Sequence, residues 1–185
     1  YTPFVFDKVG QIDRRSLRFM WNLENRAAFR ACVTDLLNNP EVQKMREIRQ
    51  HVQDANCLQH CLFVAYLSFL FCRKFHLDAA SAARGGLLHD LYLYDWRTHE
   101  GHHMTMHPIT ALVNATHLFT LNDKEKDIIV KHMWPLTPAL PKYAESFVVS
   151  TADKLCALAE IFHIYRWLRV GEHLDFQPNK HAKAL

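Results

Sequence analysis

From Cys57 to Phe75 the chain is apolar on most of its sides, so a helix there has to lie at the centre of a fold. His60 interrupts the apolar run near its start, and Arg73 and Lys74 end it. No stretch of eighteen apolar residues is left, so a membrane span is not expected. With five glycines and few alternating Val, Ile or Thr residues, the rest of the chain does not read as sheet, and its dominant period is helical.

That period predicts a long amphipathic helix over residues 11–38, stopped at Asn38-Asn39-Pro40. Pro40 starts a short helix to about His51, using the first-turn position that proline favours. Asp54 or Asn56 caps the central helix, about 57–75, and Asp78 caps the next, to about Tyr94. The polar, His-rich stretch 96–107 predicts a loop. Pro108 then opens a helix to about Leu118, and Asn122 or Asp123 caps another to about His132. Trp134 to Pro141 holds three prolines and must be irregular. A last long helix covers about 144–170, with Gly171 as its stop. The expectation is an all-α, single-domain helical bundle. Helices over 1–54 pack on a core of 55–170, and 171–185 form a tail.

A chain of 185 residues suits one domain with a substantial core, and 49% apolar with 22% charged residues is ordinary globular composition. A net charge of +3, with Lys and Arg scattered along the chain, predicts no nucleic-acid partner. The five cysteines are odd in number and form no CxxC pair, which fits buried, reduced thiols better than a disulfide framework. With no signal peptide in view, the expected compartment is the cytoplasm, although a start at Tyr1 leaves a trimmed leader open.

Thirteen histidines are the compositional oddity, and most lie between His51 and His132. His89 and Asp90 are adjacent at the end of the apolar stretch Ala82–Leu88. His60 lies one helix earlier, Asp153 far downstream, and His107 and His132 between. Taken singly, His60 reads as a hydrogen-bonded core histidine, His107 as a loop residue and His132 as a cation at a helix C-terminus. Taken together, they are metal ligands contributed by separate elements. Neighbours on a helix point roughly 100° apart, so a tandem His-Asp suits a carboxylate reaching between two ions. Asp153 sits among Val148, Val149, Ala152, Leu155 and Cys156, where an unpaired charge would cost several kcal/mol, so it needs a partner. Cys57 and Cys61 flank His60, but without a second pair of sulfurs they read as buried thiols. Imidazole and carboxylate together suit iron, manganese or zinc.

The stretches Gln59-His60-Cys61-Leu62-Phe63-Val64-Ala65, Gly86-Leu87-Leu88-His89-Asp90, His107-Pro108 and Thr151-Ala152-Asp153-Lys154 resemble the successive motifs of the HD superfamily, over residues 55–160. Within it the chain looks most similar to dinuclear members with the pattern H…HD…H…H…D, such as the symmetrical diadenosine-tetraphosphate hydrolases and, more distantly, the cyclic-di-GMP phosphodiesterases. The resemblance implies an HD-type bundle with two divalent cations, iron first, manganese or zinc as alternatives. His60, His89, Asp90 and Asp153 would hold one, and Asp90, His107 and His132 the other, with Asp90 shared. It implies a phosphohydrolase acting on a phosphate ester or anhydride of a nucleotide or small phosphorylated metabolite, through a hydroxide between the metals. Many relatives carry Lys three residues after the HD aspartate, and here Leu93 stands there. A cationic phosphate contact is therefore either missing or supplied elsewhere, with Arg84, Arg97, His102, His103, Lys142 and Lys154 as the candidates. His102 and His103 are also candidates, with Asp90, for the catalytic set. Trp134 is the foremost candidate to contact a base, ahead of Tyr92, Tyr94 and Trp96. Two other functions fit the same ligand order: a mixed-valent di-iron oxygenase resembling inositol oxygenase, and a nucleotide-binding regulatory module. The oligomeric state stays open.

Overall fold

A computed structural model describes residues 20–49, 55–95, 103–174 and 176, the side chain of His103 excepted. Among them the only β contact is an isolated bridge between Arg49 and Asn56, and the chain forms the expected all-α, single-domain bundle. Its helices are α1 (Leu23–Leu37), α2 (Pro40–Gln43), α3 (Cys57–Lys74), α4 (Ala79–Leu88) and α5 (His103–Leu118). They continue with α6 (Asp123–Lys131), α7 (Ala144–Ile161), α8 (Ile164–Trp167) and α9 (Val170–Leu174). None of these helices is long and apolar enough to cross a membrane.

The all-round apolarity of α3 has its expected consequence. Fourteen of its eighteen residues are buried, with α4 and α7 as its main neighbours and α1 and α9 closing the remaining sides. Each buried Leu or Phe there contributes about 1.5–3 kcal/mol relative to exposure. Asn56 caps α3 in a reciprocal box with Gln59, the Asn56 side chain accepting from Gln59 N at 2.9 Å. The Gly85-Gly86 pair sets how closely α4 approaches its neighbours. A Cβ on Gly86 would lie 3.0 Å from Ala65 Cα of α3, and one on Gly85 would lie 2.8 Å from Ile128 Cγ2 of α6. Only glycine lets α4 slot between those two helices.

Several expected boundaries move. The first helix begins at Leu23, not near residue 11, because Asn22 caps it by accepting from Glu24 N at 2.7 Å; residues 1–19 lie outside the described chain. The helix from Pro40 stops at Gln43 and tightens into a 3-10 turn, Lys44–Arg46, and His51 lies outside the described residues. The helix capped by Asp78 ends at Leu88, not Tyr94, and its backbone reverses through Leu93, a positive-φ residue at 58°. Pro108 lies inside α5 instead of opening it, forgoing one early backbone bond. Of the expected loop 96–107, residues 96–102 are outside the described chain and the remainder is helical. The last long helix ends at Ile161. Left-handed His163 and Arg169 (φ 57° and 53°) break the path there, and Gly171 falls inside α9 instead of serving as a stop. Between Lys131 and Ala144 no helix forms, as the three prolines require.

Polar contacts fix how α4, α6 and α7 sit together. Asp127 of α6 accepts from Lys142 N (2.9 Å) and Ser146 Oγ (2.7 Å), supplying from another helix the cap that Tyr143 does not give α7. Glu145 of α7 accepts from Asp78 N (2.9 Å) and Lys124 Nζ (2.7 Å), tying together the N-terminal ends of the three helices.

Candidate metal centre

Five helices and one turn deliver imidazoles and carboxylates to a single point beneath the bundle surface. His60 lies in the first turn of α3 and is fully buried. His89 is the C-terminal cap of α4, and Asp90 follows it in the turn. That turn is held by Asn114 Nδ2, which donates to Leu91 O at 2.8 Å, and by Cys57 Sγ, 3.6 Å from Asp90 O. His107 comes from α5, His132 from the end of α6, and Asp153 from α7. The carbonyl of His132 accepts from Ser150 Oγ (2.8 Å) and Lys154 Nζ, so α7 also fixes the end of α6.

The ring nitrogens show which way each imidazole faces. His89 Nδ1 donates to Gly86 O at 2.7 Å and His132 Nδ1 to Ile129 O at 2.8 Å. A carbonyl can only accept, so both rings carry their proton on Nδ1 and turn Nε2 inward. His60 Nδ1 meets Glu160 Oε1 at 2.8 Å, again leaving Nε2 for the interior. His89 Nε2 is buried and has no hydrogen-bond partner. Such an atom is costly unless something else fills the role.

The inward atoms divide around Asp90. His60 Nε2 lies 3.1 Å from Asp153 Oδ1, and His89 Nε2 lies 3.7 Å from that same oxygen and 3.5 Å from Asp90 Oδ2. On the other side, Asp90 Oδ1 lies 3.4 Å from His107 Nε2 and 3.5 Å from His132 Nε2. Those two nitrogens are 2.8 Å apart. Asp90 thus turns one oxygen to each side. Three overlapping sets, His60/His89/Asp90, His89/His132/Asp153 and Asp90/His107/His132, each bring one ligand atom per residue within 4.8 Å of the others and can hold a metal ion. All six residues singled out as ligands are in this cluster.

Electrostatics follow the same division. Burial works against a charged His60, but Glu160 and Asp153 raise its pKa well above the ordinary histidine value. His89 is likewise raised against burial, chiefly by Asp90 and Asp153. His132 goes the other way: burial and neighbouring His89 push it down to about 3, so it stays neutral. Burial opposes ionisation of the two aspartates. The imidazoles overcome it, holding Asp90 below the usual carboxylate range and Asp153 well below it.

The remaining candidates scatter. Lys154 stands at the rim, its Nζ 3.0 Å from Asp153 Oδ2. Arg84 is turned away from the cluster. Its guanidinium grips Asp35 of α1 at 2.7 Å and Glu125 of α6 at 2.8 Å, a tie between helices. Lys142 is exposed, its ammonium 5.2 Å from the Tyr143 ring centroid, and it is not brought to the cluster. The Trp134 ring packs edge-on against Phe147, with centroids 5.1 Å apart. Tyr92 is buried beside the cluster, its ring centroid 5.8 Å from that of His107. Trp96, Arg97, His102 and the side chain of His103 lie outside what is described. Cys57 and Cys61 are free thiols close to Asp90, and burial pushes Cys61 well above its ordinary pKa, against the thiolate a metal needs.

Sequence reasoning missed Glu160. It is buried, and it orients His60 from the opposite side to Asp153. The signal was present: Glu160 follows Asp153 by two helical turns and so shares its face. No family model, no curated protein and no solved structure matches the chain.

Proposed function

We propose that this chain is a metal-dependent phosphohydrolase of the HD type, holding two divalent cations. Iron is the first candidate, with manganese or zinc the alternatives. The observation that carries the reading is the posture of Asp90, which sets Oδ2 at 3.5 Å from His89 Nε2 and Oδ1 at 3.4–3.5 Å from the Nε2 atoms of His107 and His132. The residues fit cations well. His89 presents a buried Nε2 without a hydrogen-bond partner, His132 Nε2 is a lone pair facing another imidazole nitrogen, and the two aspartates stay ionised despite burial.

His60, His89, Asp90 and Asp153 would hold one cation, and Asp90, His107 and His132 the other. Bound there, such cations supply an acidified water able to attack phosphorus near neutral pH and positive charge against the phosphate oxygens. The chain's own residues do the rest. Glu160, Gly86 and Ile129 fix the ring orientations, so that little reorganisation remains when substrate arrives. The rim ammonium of Lys154, already aligned by Asp153 and His132 O, is the described cation best placed to take the contact that Leu93 cannot make. The substrate class is a phosphate ester or anhydride in a nucleotide or small phosphorylated metabolite.

Elemental analysis of anaerobically purified protein, joined to a panel of nucleotides and sugar phosphates, tests the proposal. The expected result is two metal equivalents and oxygen-independent release of phosphate or nucleoside monophosphate. Asp90→Ala should lower both metal content and turnover, the latter by at least about 10³-fold. Turnover that strictly consumed oxygen would transfer the site to the di-iron oxygenases. Full metal and rate in Asp90→Ala would remove the bridging role.

A further inference from the structure

α7 is built inside out. Of its four charged residues, Glu145, Asp153 and Glu160 are buried, and the fourth, Lys154, bonds to Asp153. Its outer face carries no charge. Along that face run Val148, Thr151, Leu155, Leu158 and Phe162, at steps of three, four, three and four residues. This is the spacing of a helix seam that packs against another helix. Among the described residues nothing covers it: Leu155 is 50%, Leu158 49%, Ile161 51% and Phe162 69% exposed.

Beside the N-terminal half of the seam lies an apolar groove of about 230 Å³ between α3 and α7, walled by Phe71, Phe75, Phe147 and Val148 among others. The groove takes in the first half of the stripe, with Leu155 at its edge, and the most exposed aromatic, Phe162, stands at the other end. We propose that this face joins two copies of the chain, α7 against α7, antiparallel about a two-fold axis beside Leu155. Such an axis carries Phe162 of each copy over the groove of the other and sets the two Leu155 side chains against each other. Size agrees. Taking about 200 Å² for a fully exposed large apolar side chain, these four and the half-exposed Phe75 offer roughly 550 Å² per copy. With the flanks of Phe147, Val148 and Thr151 added, that approaches the roughly 800 Å² per partner of a standard interface. Because Asp153 and Glu160 lie on the opposite face of the same helix, the pairing would brace the wall of the metal cluster without blocking it.

The test is sedimentation equilibrium of the full chain from about 1 to about 100 μM, with two variants at the axis. The wild type should run at twice the 21.7 kDa chain mass. Leu155→Glu, at a half-exposed position, should keep its helical circular dichroism and weaken the dimer about 100-fold or more, since two carboxylates would be buried face to face. Leu155→Cys should form an intermolecular disulfide under mild oxidation, while Leu23→Cys, even more open to solvent on α1, should not. A wild type at single-chain mass throughout would overturn the proposal. So would cross-links tying α7 to residues 1–19 of the same copy, flotation of the monomer with phosphatidylcholine vesicles, or a dimer indifferent to Leu155→Glu.

Discussion

The two sides of Asp90 both present imidazoles but differ in their carboxylates, and they hold charge in opposite ways. On the α3–α7 side, His60 lies between two carboxylates, Glu160 on Nδ1 and Asp153 on Nε2, and its pKa rises against burial. On the α5–α6 side, His132 is backed only by the carbonyl of Ile129, and burial with His89 nearby pushes it down to about 3. One side therefore attracts positive charge of any kind, protons included. The other offers, at His132, a neutral imidazole that does not take up a second proton. Asp153 and Glu160, both on one side only, make the difference, and it predicts that the two cation positions differ in affinity, pH response and sensitivity to substitution.

The sharpest break comes from removing a ligand on one side only. His132→Ala takes a lone pair from the α5–α6 position and leaves His60, His89 and Asp153 intact. We expect the metal content to fall from two equivalents to one and turnover to drop about 10²-fold or more, read by elemental analysis and a phosphate-release assay. If the stoichiometry stays at two, the α5–α6 residues are not a separate position. A smaller effect distinguishes the orienting carboxylate from the ligands. Glu160→Gln keeps an oxygen for His60 Nδ1–H but removes the charge behind the ring. Affinity at the α3–α7 position should weaken about 10-fold, toward the lower end of what lost outer-shell partners cost. Titration with a chelator should show that cation leaving earlier while the other is unmoved; equal loss of both would mean that Glu160 acts on the fold and not on one site.

The six clustered residues were legible in the sequence because their residue types are conspicuous against an apolar background. His60 interrupts the apolar stretch of α3, and Asp153 interrupts the apolar face of α7. Glu160 was not, since a glutamate late in a helix reads as a solvent-facing charge until its neighbours in space are known. The end of α4 was misread for a similar reason. The run Leu87-Leu88 continues apolar through Leu91-Tyr92, and nothing local stops the helix. What holds the turn is partly tertiary, the Asn114 amide on Leu91 O, and partly the His89 ring turned back onto Gly86 O. Arg84 was drawn toward the phosphate candidates because its partners, Asp35 and Glu125, are about forty to fifty residues away along the chain. The stop assigned to Gly171 failed because left-handed His163 and Arg169 had already broken the helix.

The gentlest test of the difference uses protons alone. In metal-free protein, His60 and His89 have raised folded-state pKa values, so the stability they contribute is fully present below the ordinary histidine value near 6.5 and is lost as pH climbs through the higher folded values. Asp90 and Asp153 have the reverse sign: their contribution is present above the ordinary carboxylate range and is lost only as pH falls through their depressed values. Between those limits all four favour the folded state. Thermal melts of chelated protein should therefore peak in mildly acidic solution and decline as pH rises above about 6.5, a decline that two equivalents of metal abolish by taking over the charge the protons had supplied. His132→Ala should leave the slope of that decline in place, since His132 is neutral throughout. Glu160→Gln should flatten it, because a ring without a second carboxylate behind it has less reason to hold its proton. A decline of equal slope in both variants would mean that the two sides of Asp90 do not differ in the way their hydrogen bonds imply.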